Sequence, residues 1–328
     1  MNFNVIETAF GNPALTMLLY QSMKEYRDIE KEFKKNFEKY SFFNEIEFKS
    51  IELSDIEYFE KNFFSIFFIS IFKKIGFEKS NLKKYGMIFH VIRVMVTATD
   101  NILDNEEKGK YNLKIAANPI LKNILLIIMS EIIMCEKLKN SNSVKKMVET
   151  LYNIAKGESI SALKKGEIYP KSEFIREEVH KNIGGELLGI AFDIPLEEES
   201  ELKTIIENFR RGIVYVGNAL QALDDMTDVK EDIDGNKANL MTAIILEKNG
   251  ISYENLIEKK LYGFEVCEKE YSILIEESVE NALKGFKIME ENGYPINKKQ
   301  GEEILKMMFK LRGLEKEWKI YQNKKGGI

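Results

Sequence analysis

Two runs of the sequence concentrate the side chains best suited to chemistry. QALDDMTDVKED, beginning at Gln221, gathers Asp224, Asp225, Asp228, Glu231 and Asp232, and TATDNILDNEE carries Asp100 and Asp104. Crowded like charges weaken a helix, so the downstream run needs a compensating partner. Gln221, Asp224 or Asp225, Asp228 and Asp232 recur at intervals of three or four, which places them along one helical stripe. The preceding GIVYVGNAL is small and apolar and reads as buried. Carboxylates beside a buried helix are costly unless cations compensate them. No lysine stands in the stripe before Lys230, and His90 and His180 are the chain's two histidines. That argues against a histidine-rich zinc site. Hard divalent cations take oxygen ligands, and magnesium binds through a few carboxylates plus substrate phosphates. The predicted arrangement is a magnesium cluster shared by the two acidic runs, with a diphosphate bridging the ions. Asp100 and Asp104, four apart, point the same way, with Arg93 two turns earlier. Arg93 either contacts the diphosphate or pairs with Asp100 or Glu106.

The elements that must position these side chains are helical. Apolar residues recur at three- and four-residue intervals almost throughout, and period-two alternation is nearly absent. Helix formers dominate the composition. Each of the five prolines, Pro13, Pro119, Pro170, Pro195 and Pro295, falls between periodic segments, where a helix would begin. About ten helices result, joined by short links such as GEIYPKS, DIPLEEES and NGYPINKK. No repeat or low-complexity linker divides the 328 residues. The expectation is one all-α domain spanning 1–328, a helical bundle around a central cavity, with the motif-bearing core at about 80–245. FFSIFFISIF and ILLIIMSEIIM fall short of the ~20 residues a bilayer-spanning helix needs, and read as core helices wrapped on most sides. No integral membrane segment is expected.

The bulk numbers bound the class. The chain is 44% hydrophobic and 31% charged with a net charge of −5, which fits a globular protein and gives no support to a nucleic-acid binder. Cys135 and Cys267 read as buried free thiols in a reducing compartment. The amino-terminal MNFNVIETAF lacks a basic flank followed by an apolar run, so the expected location is cytoplasmic. His90 reads as a satisfied core histidine, and Trp318 and Tyr321 as aromatic core packing.

Asp100-Asn-Ile-Leu-Asp104 and Gln221-x-x-Asp224-Asp225-x-x-Asp228 resemble the paired aspartate-rich motifs of class I isoprenoid synthases, the all-α family of trans-prenyltransferases with terpene cyclases and phytoene and squalene synthases as relatives. The likeness runs from about Phe89 to Leu240. GNALQALDDMTD is similar to the second prenyltransferase motif, NIAKGESISALKKGE to the mid-chain Gly-Gln/Glu segment, EEVHKNIGGELLGIAF to the helix carrying a Lys-Thr pair, and DIDGNKANL to the later Gly-Lys-Ala-Thr-Leu segment. The resemblance implies that Asp100, Asp104, Asp224, Asp228 and Asp232 bind about three magnesium ions together with the substrate diphosphate. It implies that Asp225 is a further ligand or orients one, that Gln221 lies near the substrate, and that Lys181 and Lys237 contact diphosphate oxygens. A homodimer and a prenyl diphosphate substrate are also implied. Ionising an allylic diphosphate leaves a carbocation, so metal ions and lysines would stabilise the leaving group, and a dry apolar pocket would protect the cation. Met95, Val96, Ala98 and Thr99 include no aromatic plug, as a long prenyl tail requires.

Departures from the pattern set the order of the readings. No Gly-Lys-Arg precedes Asp100, the segment after Asp104 offers only Lys108 or Lys110, and Asn101 stands where the family has a second aspartate. A weak acceptor site favours a terpene synthase, with a chain-elongating or head-to-head prenyltransferase as the alternative. A non-catalytic subunit that modulates a partner synthase is the reading from another class.

Overall fold

The computed structural model describes residues 11–39, 46–48, 53–103, 111–113, 118–138, 140–164 and 166–326. The chain separates into two compact units, whose main bodies are Pro13–Val144 and Lys145–Ile328.

In the first unit, helix α1 is Pro13–Glu38, α2 Asp55–Lys61, α3 Phe63–Ile75, α4 Lys79–Leu103 and α5 Pro119–Lys137. Strands β1 (Ile46–Phe48) and β2 (Tyr111–Leu113) form one antiparallel ladder with Ile46 opposite Leu113, a pairing too short to show as period-two patterning. Helix α2 starts on a reciprocal cap in which the Ser54 side chain accepts from Glu57 N and Glu57 accepts from Ser54 N. Helix α3 stops at Gly76, whose φ of 96° suits a residue without a Cβ. Helix α4, which carries Asp100, lies so close to α1 and α3 that a Cβ at Gly86 would meet Ile29 and Ile69 side-chain atoms at 2.4 and 2.6 Å. By length and composition α4 is the one described helix apolar enough to cross a membrane, and half of its apolar window is buried within the protein.

Helix α5 corrects one expectation. Leu126, Met129, Ile133 and Met134 are buried, but Ile120, Leu121, Ile124, Ile128 and Ile132 are exposed, so this helix is wrapped on one side only. Cys135 follows Ile128 by two turns, shares that outward face and is exposed rather than buried, whereas Cys267 is buried as expected; both are free thiols.

Helix α6 (Ser141–Ser161) opens the second unit. Ser172–Phe174 (α7) runs into a π-helical stretch, Ile175–Gly185, and then α8 (Glu186–Glu198). After a 3₁₀ turn come α9 (Lys203–Thr227), α10 (Val229–Asp234), α11 (Leu240–Asn249), α12 (Tyr253–Lys259), α13 (Glu268–Glu291), α14 (Lys298–Leu311) and α15 (Glu315–Gly326). Pro195 lies inside α8, not at a helix start. It sits in the last turn, so its missing N–H costs one bond, and its carbonyl still accepts from Glu199 N at 2.9 Å. Helix α9 is the centre of this unit, packed against α13, α8 and the π-helical stretch. Two backbone-to-backbone crossings set its position. A Cβ on Gly217 would lie 2.3 Å from the Gly184 carbonyl oxygen, and one on Gly285 would lie 2.4 Å from that of Gly212. Any larger residue would push α9 away from the π-helical stretch or from α13.

A partly buried cluster of charges adds a polar clamp. Arg210 donates from Nε to Asp193 at 2.8 Å and from Nη2 to Glu186 at 2.6 Å, and Thr150 Oγ1 donates to Asp193 at 2.5 Å. Burial pushes the Asp193 carboxyl above its ordinary range, and the neighbouring Arg210 opposes that shift. The expected all-α fold is present, with more helices than the ten or so read from sequence and one short strand pair. Trp318 and Tyr321 are buried, and Trp318 packs on Phe309 at 5.1 Å between ring centroids.

Candidate functional site

The downstream acidic residues stand where α9 ends. The helix stops at Thr227, and Asp228, at φ −100° and ψ 8°, joins α9 to α10. The stripe read as continuous therefore bends at Asp228, and Asp232 belongs to the next short helix. GIVYVGNAL lies as expected, with Ile213, Val216, Ala219 and Leu220 buried.

The carboxylates have different surroundings. Asp225 is buried. Its Oδ2 accepts from Leu240 N at 2.5 Å and from His180 Nε2 at 2.9 Å, and its Oδ1 accepts from Gln221 Nε2 at 3.3 Å. Asn239 completes the anchor. It caps α11 through Thr242 N and donates from Nδ2 to the Asp225 carbonyl at 2.8 Å and to Asp232 Oδ2 at 2.7 Å. Tyr169 Oη accepts from Asn239 N at 2.7 Å. Asp225 and Asn239 thus tie the end of α9 to the start of α11 and to the π-helical stretch.

Asp224, Asp228 and Asp232 are half-buried. Both oxygens of Asp224 accept from Arg312, through Nε and, at 3.1 Å, through Nη2. Asp228 Oδ1 accepts from Thr227 Oγ1 at 2.8 Å. Burial raises the pKa of Asp224 above the ordinary aspartate value; Arg312 opposes the shift, and the charges of Asp228 and Asp225 add to it. Asp232 is pushed up to about 6, mainly by burial, against its hydrogen bond from Asn239 and with added repulsion from Asp225 and Asp228. The carboxylates therefore repel one another across the end of α9. Their donor atoms are all oxygen, and the nearby histidine is already bonded to Asp225. That chemistry fits a hard divalent cation. Among the described residues no three Asp, Glu, His or Cys side chains already converge as a ligand set.

Of the other expected site residues, Lys181 lies exposed on the π-helical stretch and Lys237 is exposed in the turn before α11. That turn is held by Ala238 N donating to Ser161 O at 2.7 Å and Leu163 N donating to Asn236 O at 2.7 Å. In the first unit Asp100 is exposed in the last turn of α4. Asp104, Glu106, Lys108 and Lys110 lie outside the described residues. Asn101 points away from Asp100, is buried, and donates to Asn123 Oδ1 at 3.3 Å. A carboxylate in its place would be a buried charge facing an amide oxygen, so asparagine suits the position.

Arg93 donates to Asn62 Oδ1 at 2.8 Å, Ser65 Oγ at 3.1 Å, Lys61 O at 3.1 Å and Tyr26 Oη at 3.3 Å. Asp100 is not among those partners, and Glu106 lies outside the described residues. His90 is buried with Nδ1 2.7 Å from Tyr26 Oη and Nε2 2.7 Å from Tyr111 Oη, a satisfied core histidine as expected. Asn62, His90, Arg93 and Tyr111 line a cleft of about 60 Å³ inside the first unit. The sequence reading missed His180, Asn239, Tyr169 and Arg312. Asn239 alone carried a local signal, a capping residue directly before the apolar run LMTAIIL.

No protein-family model and no curated protein matches the chain. Solved structures do. A heptaprenyl diphosphate synthase from Staphylococcus aureus superposes with a TM-score of 0.59 at 13% identity, over 89% of this chain and 98% of that one. A geranylgeranyl pyrophosphate synthase from Lactobacillus brevis gives 0.52 at 12% identity, over 92% and 96%. A geranylgeranyl pyrophosphate synthetase from Pyrococcus horikoshii gives 0.50 at 16% identity, over 87% and 97%. The chain has the all-α class I isoprenoid synthase fold.

The anchor and the half-buried acidic groups should respond oppositely to mutation. Asp225→Ala strands Leu240 N–H and the His180 ring, and is expected to lower stability by about 3 kcal/mol. Asp228→Asn removes a repelling charge and should stay within about 0.5 kcal/mol of the parent. Urea unfolding without metal reads both, and equal losses would contradict the division of roles.

Proposed function

We propose that the chain is a magnesium-dependent enzyme that ionises an allylic prenyl diphosphate, and that it is a prenyltransferase building prenyl chains. The observation that carries this reading is the set of half-buried, mutually repelling carboxylates Asp224, Asp228 and Asp232 at the end of α9, in a chain with the isoprenoid synthase fold. These three would hold magnesium, with Asp100 and Asp104 as further ligands by resemblance. When bound, the metal supplies Lewis-acid stabilisation to the departing diphosphate. Asp225 and His180 keep the end of α9 in place, Gln221 braces Asp225, and the exposed Lys181 and Lys237 are available to diphosphate oxygens. Arg93 is assigned to the same substrate-binding group on resemblance, although its hydrogen bonds are to Tyr26, Asn62, Ser65 and the Lys61 carbonyl.

Sequence departures ranked terpene cyclisation first; the fold neighbours, all prenyl diphosphate synthases, favour the alternative, chain elongation. The reading also takes 1–328 as one functional domain and the protein as a cytoplasmic homodimer. The exposed stripe Ile124, Ile128 and Ile132 on α5 supports the dimer, since such a row commonly marks a contact surface. Light scattering should read twice the chain mass for the parent and the chain mass for Ile128→Glu; a monomeric parent would remove the dimer from the proposal.

Incubation with farnesyl diphosphate and magnesium, with and without isopentenyl diphosphate, tests the activity. Longer prenyl diphosphates should form only when isopentenyl diphosphate is present. Hydrocarbon or alcohol products in its absence would return the cyclase reading to first place.

A further inference from the structure

Asp224 already has a cation. Arg312 caps the carboxyl end of α14, where its N–H donates to Phe309 O at 3.2 Å and Gly313, at φ 73°, turns the chain. A helix carboxyl end favours a cation, and here the side chain reaches back across 88 positions of sequence to Asp224. The contact is forked, Nε to Oδ1 and Nη2 to Oδ2, which is the geometry that a planar guanidinium provides and a lysine does not. The pair is not sealed: the Arg312 side chain is 24% exposed and that of Asp224 38%. Solvent can reach it, and the two groups can separate.

We infer that Arg312 is the internal countercation of the metal-free site, and that a divalent ion must displace it to use Asp224. This rests on the proposed function, because it takes Asp224 as a metal ligand. The physical reason is competition for the same two oxygens. Magnesium demands close, near-octahedral oxygen contacts, and a guanidinium hydrogen-bonded to both oxygens of one carboxylate repels a second cation there. With the arginine in place Asp224 is neutralised and α9 is spared part of the repulsion among its carboxylates. With the arginine removed, that repulsion returns in full and an added metal ion relieves it. Metal affinity is therefore held down by a residue distant in sequence from either acidic run.

The probe is Mn²⁺, an oxygen-seeking substitute for magnesium whose free form is counted by electron paramagnetic resonance. It is titrated into the full chain with and without inorganic pyrophosphate. Arg312→Gln should bind Mn²⁺ alone about tenfold more tightly than the parent, a change on the order of 1.4 kcal/mol. Arg312→Lys, which keeps the charge and loses the fork, should fall between them. The gain should vanish in Arg312→Gln combined with Asp224→Asn, which a merely structural arginine would not produce. Unchanged or weaker Mn²⁺ binding by Arg312→Gln, in a parent that binds Mn²⁺ with pyrophosphate, overturns this inference alone. No Mn²⁺ binding by the parent under either condition overturns the functional reading and this inference with it. If Arg312→Gln does not fold, the lysine variant decides: affinity equal to the parent's overturns the competition.

Discussion

The hydrogen bonds to the buried carboxylate of Asp225 decide where the end of helix α9 lies. Leu240 N, His180 and Gln221 all donate to it, from α11, from the π-helical stretch and from its own helix. A buried carboxylate is tolerated when its acceptor capacity is used in this way. The consequence falls on its neighbours. With Asp225 turned inward, Asp224 and Asp228 emerge on other sides of the helix end and stay half-buried. The glycine crossings at Gly217 and Gly285 bring α9 close enough for those bonds to form, so packing and polar anchoring serve one geometry. π-Helical turns recur at functional sites, and here one supplies His180 to the anchor and Lys181 to the surface.

Much of this was legible in sequence, and the failures share a cause. The acidic stripe, the buried lead-in and the all-helical fold follow from local spacing. What escaped was long-range. The stripe looked uncompensated because no lysine stood near it, yet its cation is Arg312, contributed by the end of another helix. His180, which sequence gave no role, comes from the π-helical stretch 45 positions earlier, and its ring meets Asp225. The one-sided burial of α5 was missed because its run is apolar on every face, which removes the periodicity that would tell inside from outside. Pro195 was placed between helices by a rule that makes no allowance for a proline in the last turn.

The first unit follows the same logic with a basic centre in place of an acidic one. Arg93 donates to Tyr26, and Tyr26, His90 and Tyr111 form a continuous line of hydroxyl and ring contacts. Phe33 packs edge-on against the imidazole with ring centroids 4.6 Å apart, which keeps the line dry on that side. These bonds fix the middle of α4, and through it the last turn, which bears Asp100.

The account stands on one claim: the carboxylates at the end of α9 take divalent ions together with a pyrophosphate. A crystal structure of the protein with magnesium and inorganic pyrophosphate tests it most directly. The account predicts ions at about 2.1 Å from Asp228 and Asp224 oxygens, each also bound to the pyrophosphate. Pyrophosphate ordered elsewhere, with these side chains still holding only their protein partners, would contradict it.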